Sequence, residues 1–304
     1  MSTTTFTITL PPGVTTAFAF PFQARDPQSN CERGDQTTLR KGIIIDERPV
    51  LLELQTAGGR AVTCRVLTGR DGGPAAAALA SQAGSMVRRL LGFAPDPLPF
   101  EAEVARNPRF APLRPLVAVR PGLRIPQTPT VWEALAWAII GQQINLPFAF
   151  QLRRELVRLA GRPLGDGFYA FPTPACVAAL DYGDLQAVKY SRRKAEYLID
   201  TARLIAGGDL PAERLPEMPF PELEQRLLAV RGIGPWTVNY VAMRGCAFAD
   251  CVPVGDTGLT TGLMRLFGLD HRPGPDETRS LMAPFAPYRS FVTFHLWQAN
   301  GGAA

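Results

Sequence analysis

The sequence predicts an α+β protein in which a small N-terminal antiparallel-sheet domain, residues 1–93, precedes a mainly α-helical domain, residues 94–304. Three observations predict this organisation. Alternating and β-branched runs fill the first segment, which is typical of strands. Proline is dense from Ala94 to Pro129, as expected for a connector. After Pro129 the apolar runs have helical spacing, so we expect only helices there.

The N-terminal strands and their helix are predicted in order along the chain. TFTITL alternates between apolar and polar residues, and GIIIDERPVLLELQT and AVTCRVLTG are β-branched runs bounded by turn residues. AAAALASQAGSMVRRLLGF then has the spacing of an amphipathic helix, with Gly92 at its end. These elements predict a sheet covered by a helix.

The helical domain begins at VWEALAWAIIGQQI, which follows Thr130. Thr130 and Glu133 have the spacing of a capping box, a signature of a helix N-terminus. Further helices are predicted in LPFAFQLRRELVRLAG, SRRKAEYLIDTARLIAGG, PFPELEQRLLAV, PWTVNYVAMRG, TGLTTGLMRLFG and SFVTFHLWQA, each of which ends at Gly, Pro or a polar turn.

Composition excludes several classes of protein. The 304 residues are 46% hydrophobic and 19% charged, which is typical of globular proteins. No apolar run reaches the roughly 18 residues of a membrane span, and MSTTTFTITLPPG lacks the pattern of a secretory signal. We therefore expect a cytoplasmic protein without a membrane partner. The five scattered cysteines and two histidines favour neither a disulfide framework nor a metal site, and no cofactor is expected. The net charge of +5 permits a polyanionic partner.

The segment ELEQRLLAV–RGIG–PWTVNYVAM predicts two helices joined by a tight turn. Pro235 suits a helix start, and Gly232 and Gly234 leave their backbone N–H groups uncovered at that start. Such amides together with the helix dipole bind anions, and a DNA phosphate is the natural occupant. The alternative is an ordinary glycine-terminated turn. The longer pattern L-x-x-x-x-G-I-G-P-W-T favours a helix-hairpin-helix element that binds DNA backbone, and we include Thr237 among its DNA-binding residues.

Asp256 stands in PVGD, directly before the helix TGLTTGLMRLF. Aspartate is a favoured N-cap, so a purely structural role is one interpretation. The unit that joins the hairpin to this aspartate resembles the helix-hairpin-helix DNA glycosylase superfamily, in which an aspartate follows the hairpin at such a distance. The resemblance implies that Asp256 is catalytic.

Further segments resemble one branch of that superfamily, the 3-methyladenine DNA glycosylase II (AlkA-type) family. These are RPGLRIPQTPTVWEALAWAIIGQQIN, YSRRKAEYLIDTA, YRSFVTFHLW and, in the N-terminal segment, TLRKGIIIDERPVLLELQ. The resemblance implies a glycosylase core of two lobes, residues 126–230 and residues 94–125 with 231–304. It also implies that residues 1–93 form the family's extra TBP-like sheet domain.

The resemblance implies a monofunctional glycosylase that excises alkylated purines, of the 3-methyladenine and 7-methylguanine type, in base excision repair. Bifunctional members carry a lysine after the hairpin that forms a Schiff base, whereas this chain has Trp236 there, so no AP lyase step is expected. The damaged nucleotide is flipped out, and the Asp256 carboxylate stabilises the oxocarbenium charge that develops as the C1′–N bond breaks. The prototype of the family has a tyrosine directly after the aspartate, whereas this chain has Thr257 there. The resemblance therefore implies a base pocket that is more open than in the prototype.

The resemblance also assigns the base pocket and the DNA wedge. Trp236, Tyr240 and Trp297 become pocket walls for a cationic base, although their spacing alone equally fits core packing. Gln142 and Gln143 end the first helix of the helical domain and are expected to contact DNA. Either Gln143 or Ile144 would fill the gap left by the flipped base; the alternative is a glutamine pair that caps the helix end.

The expected partner is double-stranded DNA that contains damaged bases, bound by a monomer associated with the nucleoid. Two other functions compete with this one. A non-catalytic DNA-binding protein would keep the hairpin without the chemistry, and the retained Asp256 with its aromatic wall counts against it. A glycosylase for hypoxanthine, or a bifunctional one for oxidised purines, would share the fold; the missing lysine counts against the bifunctional version.

Overall fold

The computed structural model describes residues 2–11, 16–57, 60–69 and 76–301, and it confirms the predicted fold class. An antiparallel sheet occupies the N-terminal segment, and most of the remaining chain is helical. Within the described residues, no helix is both long and apolar enough to span a bilayer.

The N-terminal sheet contains five antiparallel strands in the order β1-β5-β4-β3-β2. Their bounds are β1 (Ser2–Thr9), β2 (Glu32–Gly34), β3 (Thr38–Ile45), β4 (Arg48–Ala57) and β5 (Ala61–Thr68). β3 and β4 form a hairpin through Asp46 and Glu47, which both have positive φ, as a two-residue hairpin turn requires. Alternate residues of the central strands face one core, for example Leu52 opposite Val66.

The described part of the N-terminal segment contains two helices, α1 (Thr16–Gln23) and α2 (Ala76–Leu90). The sequence prediction contained α2 but missed both α1 and the short strand β2. α1 contains Pro21, and its apolar residues lack the spacing of one helical face, so its helicity is decided by packing. Phe20 of α1 lies in the sheet core, whereas Phe22 belongs to the core of the helical domain.

The helical domain has twelve α-helices among its described residues, in addition to short 3₁₀ segments at 108–113, 212–217 and 283–285. The helices are α3 (Leu98–Arg106), α4 (Arg114–Ala118), α5 (Val131–Gly141), α6 (Leu146–Ala160), α7 (Pro174–Ala178), α8 (Tyr182–Ala187), α9 (Arg192–Gly207), α10 (Phe220–Leu228), α11 (Pro235–Gly245), α12 (Thr257–Phe267), α13 (Pro275–Met282) and α14 (Arg289–Ala299).

The expectation of helices alone after Pro129 is wrong at one place. β6 (Arg162–Gly165) and β7 (Phe168–Ala170) form a short hairpin, and β7 lies against β3 of the N-terminal sheet. The backbone N–H of Phe171 donates to the carbonyl of Gly42 at 3.2 Å. A Cβ at Gly42 would collide with the carbonyl of Tyr169, so the close approach requires glycine there. Strands this short are stabilised by their contact with β3, and the spacing of apolar residues in the sequence does not predict such a tertiary contact.

We propose a domain boundary at residue 93 and lobe boundaries at residues 126 and 230. Aromatic contacts between the connector and the C-terminal segment support the second of the two lobes. Phe100 of α3 stacks on Phe291 of α14, with ring centroids 5.3 Å apart. Phe110 contacts Phe285 edge-on at 5.5 Å. The connector that follows residue 93 therefore packs with the C-terminal helices, as the proposed second lobe requires.

A buried ionic cluster joins the N-terminal sheet to the helical domain. Lys41 of β3 lies within hydrogen-bond distance of Glu32 and Glu133, and Arg153 of α6 contacts the same two carboxylates. All four side chains are at most 10% exposed. Burial opposes ionisation of Glu32, but Arg153 and Lys41 overcome it and hold the pKa of that carboxyl below its usual range. We name these four residues the interdomain ionic cluster.

Candidate active site and DNA interface

The hairpin lies between α10 and α11, as predicted, and its turn residues are Arg231 to Gly234. Ile233 is buried and anchors the turn in the core, while its N–H donates to the carbonyl of Val230. Among the described residues, nothing accepts a hydrogen bond from the N–H of Gly232 or Gly234. Because the first-turn amides of α11 also lack partners within the helix, this end offers a cluster of donors to an anion.

The two hairpin glycines are required for different reasons. Gly232 has a φ of +90°, and a Cβ there would enter the ring of Tyr197, so both conformation and space demand glycine. Gly234 has a φ of −108° and a ψ of 177°, a backbone that any residue adopts. Of the two hairpin glycines, only Gly232 therefore occupies the left-handed region. A Cβ at Gly234 would meet no atom within 4 Å, so this residue presents open backbone.

Gln142 and Thr237 fasten the end of α5 to the hairpin. The Gln142 side-chain amide donates to the carbonyl of Gly232 at 2.9 Å and to the Thr237 hydroxyl at 3.1 Å. Thr237 is only 2% exposed, so its side chain faces the protein and not a partner. The side chains of these two predicted DNA-binding residues are therefore used within the protein to position the hairpin, and their contact with DNA stays a prediction.

Gln143 and Ile144, the two candidate wedge residues, differ in exposure. Gln143 is exposed and has a φ of +55°, which is uncommon for a residue with a side chain. Ile144 is half-buried and packs against the core of the helical domain. Of the two wedge candidates, Gln143 is thus the one that is exposed in the loop between α5 and α6.

Asp256 is both a helix cap and the acceptor of two indole N–H groups. Its Oδ1 atom accepts from the backbone N–H of Leu259 at 2.7 Å, the N-cap bond of α12. Trp297 donates its indole N–H to the same oxygen at 2.8 Å. Trp236 donates to Oδ2 at 3.1 Å. The half-buried carboxylate is thereby oriented by three neutral donors, and Oδ2 retains capacity for a further donor or cation.

Close packing of α12 and α14 makes this orientation possible. A Cβ at Gly258 would lie 2.8 Å from Cδ1 of Trp297, closer than packed atoms lie. Asn300, directly after α14, donates its side-chain amide to the carbonyl of Gly258 at 2.8 Å. The glycine that follows Thr257 thus allows the indole to reach the carboxylate, and sequence reasoning missed this requirement.

The three predicted pocket aromatics form one contiguous group. The rings of Trp236 and Tyr240 are stacked at 5.3 Å, and Tyr240 lies 6.0 Å from Trp297. Only Trp236 is partly exposed, because Tyr240 and Trp297 are 4% and 1% exposed. The structure therefore places Trp297 behind Asp256 as a hydrogen-bond donor. Its predicted place on an open pocket wall does not agree with this burial.

Tyr240 also lines a cavity of about 50 Å³, whose lining does not include Asp256. Its lining includes Phe22 and Arg25 from the N-terminal segment, Trp137 of α5 and Arg244 of α11. Sequence reasoning found none of these four residues. The available signal was the aromatic run AFAFPF followed by an arginine, which no periodicity linked to the helical domain.

The chain's three lysines lie away from the position after the hairpin. Lys41 belongs to the interdomain ionic cluster, and Lys194 of α9 donates to the carbonyl of Ile140 at 2.6 Å. Burial lowers the pKa of Lys194 to about 8. Lys189 is exposed in the turn between α8 and α9. Within the described residues, the Asp256 carboxylate accepts hydrogen bonds from Trp236, Leu259 and Trp297, and none of these donors is a lysine amine.

The family was identified by comparison with known proteins. A family described as HhH-GPD superfamily base excision DNA repair protein matches residues 136–287, half of the chain. The chain belongs to this superfamily. The matched residues include α11 and the loop that carries Asp256, so the HhH-GPD core contains the hairpin and the carboxylate that the two indoles hold.

Individual relatives agree with this assignment. The chain is 39% identical over 180 residues to the DNA-3-methyladenine glycosylase of Bacillus subtilis, a match that covers 58% of this chain and 59% of the relative. The chain thus spans less than two thirds of the length of that curated relative.

Two solved structures show the same fold. The 3-methyladenine DNA glycosylase from Archaeoglobus fulgidus superimposes with a TM-score of 0.81 at 21% identity, over 97% of this chain and 98% of that one. The Schizosaccharomyces pombe 3-methyladenine DNA glycosylase, solved in complex with abasic DNA, has a TM-score of 0.56 at 24% identity over 64% of this chain and 93% of that one.

Proposed function

We propose that this chain is a monofunctional DNA glycosylase that removes alkylated purines, of the 3-methyladenine and 7-methylguanine type, from double-stranded DNA in base excision repair. The observation that carries the proposal is the orientation of Asp256 by the indoles of Trp236 and Trp297. The name of the Bacillus subtilis relative supports the lesion class, and the abasic-DNA complex of the Schizosaccharomyces pombe protein supports the partner.

In the proposed mechanism the hairpin holds a DNA phosphate through the amides of Gly232 and Gly234 and the N-terminus of α11. Gln143 enters the duplex at the gap that the flipped nucleotide leaves. Its contacts there offset part of the free energy of unstacking the nucleotide, which is a few kcal/mol. Because these contacts involve backbone and shape, they let the protein search DNA without reading its sequence.

The chemical step takes place beside Asp256. As the C1′–N bond breaks, positive charge develops on the sugar, and the carboxylate stabilises it and orients the attacking water. The indole N–H donors fix the carboxylate in place while leaving its negative charge intact, so no reorganisation is needed at the moment of reaction. A cationic alkylated purine is already a good leaving group, so the site needs no strong general acid.

We also propose that the reaction stops at the abasic site. A β-lyase step needs an amine that attacks the sugar, and the position after the hairpin is occupied by Trp236. The proposed enzyme works as a monomer on nucleoid DNA in the cytoplasm.

The deciding experiment incubates the protein with DNA treated with a methylating agent and separates the released bases. Release of free 3-methyladenine and 7-methylguanine is expected, without strand cleavage. Borohydride added during the reaction is expected to trap no covalent complex. If DNA is bound but no base appears from methylated or deaminated DNA, the chain is instead a non-catalytic DNA-binding protein.

A further inference from the structure

Helix α9 contacts both of the elements that the proposed mechanism brings to DNA. In its first turn, Lys194 donates a hydrogen bond of 2.6 Å to the carbonyl of Ile140, at the end of α5. In its second turn, the ring of Tyr197 occupies the space that a Cβ at Gly232 would need, so α9 packs directly against the hairpin turn. One helix thus connects the end of α5, which leads into the loop of Gln143, with the hairpin.

Lys194 is a buried cation without a carboxylate partner. Its side chain is 8% exposed, and among the described residues its amine forms no ion pair with an aspartate or glutamate. Burial lowers the pKa of the amine to about 8, which leaves it mostly charged at neutral pH. Because burying a charge is costly unless polar groups compensate it, the position of this amine requires an explanation.

The C-terminal end of α5 supplies that compensation. Ile140 lies in the last turn of α5, where the carbonyls have no partner within the helix and carry the partial negative charge of the helix dipole. The dipole of α9 itself disfavours a lysine in its first turn. The amine of Lys194 therefore stabilises the end of α5 and not the helix to which it belongs.

The residues that follow Ile140 are the ones expected at the DNA. Gln142 caps α5, and its side-chain amide donates to the carbonyl of Gly232 at 2.9 Å and to the hydroxyl of Thr237 at 3.1 Å. Gln143, the exposed wedge candidate, comes next with a φ of +55°. Such a backbone is disfavoured for a residue with a side chain, and it persists only where the surrounding structure fixes it. Two anchors, one on α9 and one on the hairpin, hold this loop at its base.

The hairpin turn is in turn fixed to α9. Glu196 accepts from Arg231 at 2.8 Å, and the guanidinium group of Arg231 lies 5.4 Å from the ring centroid of Tyr197. Because the ion pair is exposed, it contributes little to stability, and the packing of Tyr197 against Gly232 is the stronger contact. The end of α5, the hairpin and α9 therefore contact one another in a closed triangle.

We propose that Lys194 is a positioning residue for nucleotide flipping, which holds the end of α5 against α9 and thereby sets the place of Gln143 relative to the hairpin. The inference rests on the proposed function, because it assumes that Gln143 fills the gap left by the flipped nucleotide while the hairpin holds a phosphate. It assigns a function to a buried lysine that takes no part in the chemistry at Asp256.

The physical reason is preorganisation. A side chain that enters the base stack from a loosely held loop loses conformational entropy at that moment, and this loss subtracts from the free energy that its contacts provide. A loop that is already fixed avoids the loss. The hairpin binds backbone and does not need the loop, so affinity for DNA and the ability to flip a paired nucleotide become separable.

The test uses two duplexes in single-turnover reactions with the full chain. Both contain a single 7-methylguanine, opposite cytosine in one and opposite a tetrahydrofuran spacer in the other. Flipping costs least for a base without a pairing partner, so the second duplex depends less on the wedge. The variants are Lys194→Met, which keeps the length of the side chain, and Lys194→Gln, which is too short to replace the amine. Lys189→Met is the matched control, because Lys189 is exposed in the turn before α9.

We expect both Lys194 variants to lower the excision rate on the paired lesion by about tenfold, the effect of one lost hydrogen bond from a charged donor, and on the unpaired lesion by less than about threefold. The ratio of the two rates does not depend on the fraction of folded protein, so a loss of stability does not imitate this result. A 2-aminopurine next to the paired lesion should brighten less on binding. Gel-shift affinity for undamaged duplex should stay within about twofold, and Lys189→Met should match the wild type in every measurement.

Equal losses on the two duplexes would show that Lys194 only supports the fold, and would overturn the proposal. An unchanged rate on the paired lesion would overturn it as well. Both results leave the proposed function standing, since the wild type still releases 7-methylguanine. A wild-type protein that releases 7-methylguanine from neither duplex would instead refute the proposed function.

Discussion

The indole N–H of Trp297 donates a hydrogen bond of 2.8 Å to Oδ1 of Asp256, across the tight contact between α14 and α12. The same oxygen caps α12 through the N–H of Leu259. A role as N-cap and a role in chemistry are therefore compatible at one carboxylate. The cap and the indole fix its position, and Oδ2 retains the acceptor capacity that the proposed mechanism uses.

Replacement of Asp256 by Asn removes the negative charge and, because its amide NH2 group would face the indole N–H of Trp236, one hydrogen-bond acceptor as well. Asparagine is as good an N-cap as aspartate, so α12 is expected to remain intact. We expect excision of 3-methyladenine to fall by about 10²-fold or more, since the charge that stabilises the transition state is gone. Gel-shift affinity for a damaged duplex should stay within about twofold of the wild type, because the hairpin is unchanged. Near-normal base release by this variant would refute the mechanism.

Replacement of Trp297 by Phe removes one N–H donor while keeping most of the ring. Because the ring is buried, the melting temperature of this variant is the control for folding. We expect the single-turnover excision rate to fall by about tenfold, the effect of one hydrogen bond to a charged group, with DNA affinity preserved. Trp236→Phe removes the donor to Oδ2 and should act in the same direction. An unchanged rate in both variants would mean that the indoles do not orient the carboxylate.

Replacement of Gly234 by Ala tests the phosphate contact. The added methyl group meets no protein atom and the backbone is extended, so the fold is expected to tolerate it. DNA affinity should fall by roughly tenfold for damaged and undamaged duplexes alike, because a backbone contact carries no sequence information. The slope of log affinity against log salt should become shallower by about one unit if one phosphate contact is lost. Gly232→Ala is a poor test, since it forces a clash with Tyr197.

Replacement of Glu32 by Gln tests the interdomain ionic cluster. The change leaves Lys41 and Arg153 short of one buried carboxylate, and we expect the free energy of unfolding at pH 7 to drop by about 3–5 kcal/mol. Urea unfolding measures this drop. Glu53→Gln is the matched control, because Glu53 pairs with the exposed Arg40 on the same sheet and should cost at most about 1 kcal/mol.

The same cluster predicts an acid dependence. The folded-state pKa of Glu32 lies below its ordinary value of 4.5, so its stabilisation is fully present above about pH 4.5 and is lost as the pH falls through the folded value. Wild-type stability should therefore decline below pH 4.5 more steeply than that of the Glu32→Gln variant. Parallel pH profiles for the two proteins would show that Glu32 does not contribute in this way.

The sequence was sufficient to predict those features that are determined by residues close together in the chain. The hairpin needs a glycine at positive φ, a proline at the helix start and an apolar anchor, and all three lie within a few consecutive residues, Gly232 to Pro235. The same holds for Thr130 as the N-cap of α5 and for the alternation that marks β1. Asp256 was found because it lies at a fixed distance along the chain from the hairpin.

Contacts between residues that are distant in the sequence were revealed only by the tertiary structure. The bonds from Trp236 and Trp297 to one carboxylate join residues that are 20 and 41 positions away from it, and no period links them. The β6–β7 hairpin, the helix α1 and the placement of Arg25 beside Arg244 likewise depend on contacts between the two domains. A sequence determines its local backbone preferences through nearby residues, whereas the direction of a buried side chain follows from the packing of elements distant in the chain.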